Sequence, residues 1–303
     1  MTPPRAPAAD LADAYARLRP GGAGAAVAGR CGLLWVEGPD AAGFLQGLLS
    51  NDVAGLEAGR GCRALLLDAK GHLRAELRVH RDGPEAFTAV AAPALADVVA
   101  ETFERYHFSE ELELLGPEAA DLVTVAGRDR EDLAAAGLGI VVPGLVPGTA
   151  DLVVDDAREA IARLGVPEAP AEALEMARVA AGAPLVGVDT GETTLVQEAG
   201  LEHAAVSFDK GCYLGQETVA RAQFRGRVNR VLRGLLLPEP ATPPAAVTRD
   251  GREVGRLTSA AVTPDLGPIG LAIMRREVEP GEAVDVAGVE GAARVASLPF
   301  GAP

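Results

Sequence analysis

The pattern of apolar residues changes character near residue 231. Upstream, stretches with helical three- and four-residue spacing alternate with period-two runs. Downstream, short apolar runs (LRGLLLPEP, AVTRDGREVGRLTSA, PIGLAIMR, AVDVAG, ARVASLP) follow one another between turns, with no helical spacing. Strand-only and mixed segments build different layers, so the tail reads as an all-β unit behind a mixed α+β body. The chain has 303 residues, about the size at which a single core stops growing, which also favours more than one domain.

Within the body, residues 1 to 29 read as a polar, Ala/Pro-rich leader. CGLLWVEG then reads as a strand entering the Gly38-Pro39-Asp40 turn, and AAGFLQGLL as a helix with Phe44, Leu45, Leu48 and Leu49 on one face, broken at Asn51-Asp52. RALLLDAKGHLRAELRVHR reads as a hairpin around Asp68-Ala69-Lys70-Gly71, with Leu73, Ala75, Leu77 and Val79 alternating in its second strand. PALADVVAETFERYH is the clearest helix, with Pro93 in its first turn. LVTVAG, GIVVPG and DLVVDD read as strands, and REDLAAAG, AREAIARLG, AEALEMARVAAG and GQETVARA as helices.

Charge is unevenly placed. The formal net charge is −15, and only Lys70 and Lys210 among the 28 basic residues are lysines. Residues 60–81 nevertheless hold six basic residues against Asp68 and Glu76, and residues 210–233 hold six against Glu217. Such islands serve as solvated faces or, combined, as a pocket for a small anion. Both lysines precede a glycine, where a compact ammonium suits a tight turn. The overall acidity disfavours nucleic acid as a general partner, because phosphate contact is driven by clustered basic residues. It also disfavours an anionic membrane surface. No run approaches the roughly 20 apolar residues of a membrane-spanning helix, and the N-terminus lacks the basic and apolar regions of a signal peptide, so a cytoplasmic location is expected.

Several familiar sites are excluded by inspection. Neither lysine completes a Walker A loop, GGAGAAVAG lacks GxGxxG spacing, no serine lies in GxSxG, and the four histidines form no HExxH pair. Cys31, Cys62 and Cys212 are too far apart for a CxxC metal site, so no metal is expected. Cys31 and Cys62 read as core residues. The eight residues Lys210-Gly-Cys-Tyr-Leu-Gly-Gln-Glu217 are different, because a cation, a thiol, a phenol, an amide and a carboxylate gather in one turn ahead of a helix. Two readings stay open. The turn either brings backbone, Lys210 and a helix N-terminus to an anion and activates Cys212, or it is a tight loop with a small buried cysteine, Tyr213 as a core anchor and Glu217 in solvent.

KGCYLGQE resembles the motif of the YgfZ family, folate-binding proteins of iron–sulfur protein maturation that are similar in fold to the glycine-cleavage T-protein, an aminomethyltransferase. VEGPDAAGFLQGLLSNDV, LLLDAKGHLRAELRV, RVAAGAPLVGVD, VSFDKGCYLGQETVAR, GREVGRLTSA and GPIGLAIMR resemble successive family blocks in the same order, across residues 32 to 287. The resemblance implies an α+β, three-domain, aminomethyltransferase-like ring: a discontinuous first domain (30–115 plus 186–230), a middle α+β domain (116–185) and a C-terminal β-barrel (231–303). It implies tetrahydrofolate or a derivative as cofactor and iron–sulfur client or assembly proteins as partners. Cys212 and Lys210 are then the candidate reactive residues. Asn51, Asp52, Lys70, Tyr213, Gln216, Glu217 and Arg221 are the candidates for holding folate, with Arg221 directed at its glutamate carboxylates.

The chain departs from the T-protein pattern in two places. Where T-proteins carry an acidic residue after the hairpin turn, Ala75 or Glu76 stands here, and alternation puts these two on opposite faces. Where they have a glutamate in an R-L-E-A-G-like segment, Arg178-Val-Ala-Ala-Gly182 has alanine. A pterin edge without its carboxylate loses charge-assisted hydrogen bonds of roughly 1.5–3 kcal/mol. Whether the chain turns over a substrate is therefore open, since no complete acid/base set is present. A folate-dependent one-carbon transferase is the alternative within this class, and a non-catalytic RNA- or protein-binding module the alternative outside it.

Overall fold

A computed structural model describes residues 9–224, 226 and 228–301. The body comprises α1 (Ala9–Arg17), β1 (Gly24–Glu37), α2 (Ala41–Leu48), β2 (Gly61–Leu67), β3 (Leu73–Arg81), β4 (Ala86–Ala91), α3 (Pro93–Tyr106), β5 (Glu113–Ala126), α4 (Arg130–Ala135), β6 (Ile140–Pro143), β7 (Thr149–Val154), α5 (Ala157–Leu164), β8 (Glu168–Ala169), α6 (Ala171–Ala180), α7 (Val196–Ala199), α8 (Glu202–Ala205) and α9 (Gln216–Phe224). The tail comprises β9 (Arg230–Leu236), β10 (Ala245–Arg249), β11 (Arg252–Thr263), β12 (Gly267–Arg275), β13 (Ala283–Val286) and β14 (Ala293–Ala296).

One sheet runs through the body in the order β2-β3-β4-β1-β5-β7-β6, every neighbouring pair antiparallel, with β8 added in parallel to β1. The hairpin expected around Lys70 is β2–β3, and Leu73, Ala75, Leu77 and Val79 are all buried. Alternation sends Ala75, Leu77 and Val79 into a core with α2 and α3, whose apolar faces supply Phe44, Leu45, Leu48, Val99 and Phe103. A second core packs α4 and α5 on β5, β6 and β7. The two ends of the sheet come near each other: a Cβ built on Gly61 of β2 would lie 3.5 Å from Pro143 at the end of β6. The expected division at 115/116 falls inside β5, a 14-residue strand paired along its length with β1. The backbone ladder is therefore continuous between the first and middle segments.

The tail closes as a six-stranded barrel, β10-β11-β12-β9-β14-β13, with its own core. Its first strand begins at Arg230. The N-terminal segment differs from the leader expected. Residues 1–8 lie outside the described residues, but α1 is a helix, and β1 begins at Gly24 rather than Cys31. The helix is short and Ala-rich, so its apolar face is carried by few residues. Those residues are buried: Ala14, Tyr15 and Leu18 join α6 and the barrel residues Ile269 and Leu271 in one core. Tyr15 donates its hydroxyl to Asp265 (3.2 Å), and Arg19 pairs with the same carboxylate (2.5 Å). Among the described residues no helix is long and apolar enough to cross a membrane.

Candidate functional site

The loop of residues 206–215 wraps the C-terminal end of α2. The last carbonyl groups of a helix have no partner within it and need donors from elsewhere. Lys210 supplies them: its ammonium donates to the carbonyl oxygens of Gln46 (2.6 Å), Leu49 (2.6 Å) and Asn51 (3.0 Å), and it lies 5.1 Å from the centre of the Tyr213 ring. Burial lowers its pKa to about 8, opposed by Asp52 and Cys62. All three N–H donors of Lys210 are thus committed to the end of helix α2 and the turn that follows it. The carboxylate that bears on its charge is Asp52, while burial raises the nearby Cys62 thiol to about 12.

Each remaining candidate has a definite position. Asn51 donates to the Arg63 carbonyl and accepts from the Asp52 N–H, and Asp52 accepts from Gln46 and Gly55, so this pair shapes the turn after α2. Tyr213 is buried among Leu65, Leu67, Leu73 and Val219, and burial pushes its hydroxyl up to about 12. Cys212 is exposed, as are Glu217 and Arg221, while Gln216 opens α9. Lys70 is exposed at the tip of the β2–β3 turn. That turn meets the motif loop tightly. Gly71 (φ +82°) and Gly215 (φ +80°) face each other so closely that a Cβ on Gly215 would lie 2.5 Å from the Asp68 carbonyl oxygen, and one on Gly71 2.7 Å from Thr218. The two basic islands do come together here, through their glycines.

A cavity of about 430 Å³ lies on the other face of the sheet, between β1, β3, β5 and β7 on one side and α6 with the start of α3 on the other. Its apolar walls are Val27, Val90, Leu95, Leu122, Leu145, Val146, Leu174 and Val186, and its charged groups are Arg30, Glu76, Arg78, Asp151, Glu175 and Arg178. Burying charge is costly unless it is paired, and most of these groups are. Arg63 donates to Glu76 (2.5 Å). Arg178, 3% exposed, grips Glu175 with Nε and Nη2 (2.8 and 2.5 Å) and donates Nη1 to Asp189 (2.9 Å). Asp189 in turn accepts from Thr258 and Ser259 of β11 (2.6 and 2.7 Å). Cys31 also lines the cavity, and burial raises its thiol to about 11. None of residues 210–217 lines this cavity. Among the described residues no three His, Cys, Asp or Glu side chains gather to hold a metal ion.

The barrel, residues 230–301, matches the family model of the glycine cleavage T-protein C-terminal barrel domain. The tRNA-modifying protein YgfZ of Edwardsiella ictaluri is 31% identical over 225 residues, covering 65% of this chain and 66% of that protein. Its namesake from Klebsiella pneumoniae is 27% identical over 297 residues, covering 88% and 90%. The chain belongs to the YgfZ family. Its fold is that of the glycine cleavage T-protein: the crystal structure of aminomethyltransferase T from Bartonella henselae superposes with a TM-score of 0.79 over 96% of this chain and 89% of that one, at 22% identity.

In this YgfZ-family chain, the two departures from the T-protein pattern now have places. Ala75 lies in the core beneath α2 and α3, and Glu76 faces the cavity. Ala180 is buried between α1, α6 and the barrel, so its side chain lies in that core rather than in the cavity wall. The residues that sequence reasoning passed over are Arg78, Asp151, Glu175 and Asp189. The sequence did hold one sign of them, an aspartate interrupting the apolar run Thr149-Ala-Asp-Leu-Val-Val154.

Proposed function

We propose that this protein binds tetrahydrofolate or a derivative in the cavity above α6 and assists the assembly or repair of iron–sulfur proteins through the exposed Cys212 loop. The observation that supports folate best is the cavity itself. Its volume is within the range of small-molecule sites, its walls are mainly apolar, and its few charged groups converge. The residues fit the ligand. The apolar walls suit a ring system, Glu76, Asp151 and Glu175 suit donors on its edge, and Arg30 and Arg78 suit carboxylates. Bound there, a reduced folate supplies ring nitrogens able to carry a one-carbon unit.

The cavity and the thiol loop share an apolar connection. Leu95 and Val186 line the cavity and also pack in the cluster that holds Tyr213, next to Cys212. A ligand that orders Leu95 and Val186 would thereby steady the loop. The relatives' name, tRNA-modifying protein, is reconciled with this role by a client that is an iron–sulfur enzyme acting on tRNA. Calorimetry with tetrahydrofolate tests the ligand, and absence of binding at high micromolar concentration would remove the proposal's premise. Cys212→Ala tests the loop. The variant should bind folate as the wild type does yet fail to restore an iron–sulfur enzyme in cells lacking the protein, read for tRNA as the level of modified nucleosides by mass spectrometry.

A second reading, a folate-dependent one-carbon transferase, is favoured by Glu76 on the cavity wall. Folate-dependent formaldehyde release or methylene transfer that disappears in Glu76→Gln would support it. The Arg63 guanidinium already held on Glu76 argues for a structural carboxylate instead.

A further inference from the structure

The outer face of the barrel is covered by the body only in part. Thr258 and Ser259 of β11 are held by Asp189, and Ile269 and Leu271 of β12 join the core that α1 and α6 supply. Further along the same strands the face is bare. Arg256 pairs in register with Ile273, and Arg275 with Arg230 of β9. Period-two alternation along β12 puts Ile273 and Arg275 on one side with Leu271, so these four side chains continue the covered face into the open. They line a groove of about 810 Å³ whose other walls are the loop from Val188 to Thr194 and Pro243-Pro244. Val188 is 58% exposed on that loop, which closes its own turns: Thr190 accepts from the Gly187 N–H and Thr194 from the Gly191 N–H.

The charge of the groove is unbalanced. Two like charges directly opposite each other on neighbouring strands repel, yet Arg275 and Arg230 stand so in a chain of net charge −15. Among the described residues Arg230 and Arg256 have no ion pair, and Arg275 reaches only Glu277, at 3.6 Å with both side chains exposed. Of the two carboxylates in the lining, Asp189 is engaged by Arg178, Thr258 and Ser259, which leaves Glu253 against three arginines. The groove is separate from the cavity above α6, since no residue lines both and the Arg178–Asp189 pair stands between them.

We propose that this groove docks an acidic segment of a partner protein, with its carboxylates on Arg230, Arg256 and Arg275 and an apolar side chain seated on Ile273 and Val188. An arginine fork holds a carboxylate by two parallel hydrogen bonds, and arginine set around apolar ground is typical of protein interfaces. Complementary charge of this kind governs partner choice and the rate of encounter. RNA would meet the same arginines through its phosphates, but single strands gain affinity by stacking bases on aromatic side chains. Among the described residues no aromatic side chain lines the groove, and Glu253 would face the phosphates. A peptide uses the whole lining, the apolar walls included.

The test is fluorescence anisotropy with the full chain at low salt. The probe is a labelled twelve-residue peptide with two glutamates to each leucine, compared with its lysine-for-glutamate counterpart and with a single-stranded RNA of equal charge. The wild type should bind the acidic peptide at least tenfold tighter than either, and the affinity should fall several-fold at physiological salt. Arg256→Ser combined with Arg275→Ser should weaken the acidic peptide tenfold or more. Val188→Asp, on the opposite wall, should weaken it at least fivefold, and this variant decides if the double substitution does not fold. Bound peptide should also shield Arg230, Arg256 and Arg275 from phenylglyoxal, as mapped by mass spectrometry. Absence of acidic-peptide binding overturns the proposal, as does binding that neither variant weakens. Tighter binding of the RNA overturns it as well and gives the groove to nucleic acid.

Discussion

Lys210 shows how a residue with a chemical look takes a structural post. Its three donors hold the Gln46 carbonyl at the end of α2 and those of Leu49 and Asn51 in the turn after it, and its charge rests near the Tyr213 ring. Lys210→Met keeps the side-chain length but takes the Lys210 donor from Gln46 and Leu49, while Asn51 keeps the Val53 N–H, at a cost of about 2–4 kcal/mol. The expected result is a lower midpoint in thermal or urea unfolding, with Cys212 still present for alkylation; an unchanged midpoint would return Lys210 to the list of reactive groups. Asp68, at the neighbouring hairpin turn, offers a titration. Burial works to raise its pKa, but the N–H of His72, the His72 ring and the N–H of Lys70 together hold it below the usual carboxylate value. A carboxyl lowered in the folded state binds fewer protons than in the unfolded chain, so its contribution to stability is present above pH 4 and lost as pH falls through the folded value. Stability measured from pH 6 to pH 2 should therefore fall less steeply in Asp68→Asn than in the wild type.

Elements built from local rules were legible in the sequence, and the contacts between them were not. Helix α5 was bounded in advance by Asp156, whose carboxylate accepts from the N–H groups of Arg158 and Glu159, and by Gly165 in the left-handed conformation (φ +63°). The hairpin was marked by its turn and by strict alternation in β3. That same alternation put Glu76 and Arg78 together on the face away from α2 and α3, so half of the cavity's charge was readable from one strand. Asp151 was not, because it meets Arg78 across a sheet whose ends approach each other, a closure that no local pattern records. Nor was the meeting of Gly71 with Gly215, which lie 144 residues apart in the chain. Gly215→Ala sets a Cβ against the Asp68 carbonyl and imposes a left-handed conformation on alanine, costing about 2–4 kcal/mol together. The loop and hairpin should separate in this variant, seen as faster hydrogen exchange at residues 68–72 and 210–218. Unaltered exchange at both segments would mean that the two turns do not depend on each other.

At the scale of the whole molecule, the barrel is held to the body by an apolar core, by the contacts of Tyr15 and Arg19 with Asp265, and by a buried polar joint. The core sets α1, α6, Ile269, Leu271 and Phe300 together, and the joint runs from Glu175 and Arg178 through buried Asp189 to Thr258 and Ser259 of the barrel. Arg178 and Glu175 also line the cavity, so whatever occupies the cavity bears on how firmly the barrel is attached. Arg178→Met removes the guanidinium and leaves Asp189 buried without its counter-charge. Breaking a buried pair from one side costs about 3–5 kcal/mol, a large share of the stability of a domain. The protein carries a convenient reporter, since its single tryptophan, Trp35, sits in β1 of the body sheet, whereas circular dichroism sees sheet and barrel alike. In the wild type both signals should change together on heating. In Arg178→Met the dichroism should begin to fall before Trp35 fluorescence does, because the barrel releases first. Coincident transitions in a destabilised Arg178→Met protein would assign the attachment to the apolar core instead, and removal of α1 would then be the change that separates the two signals.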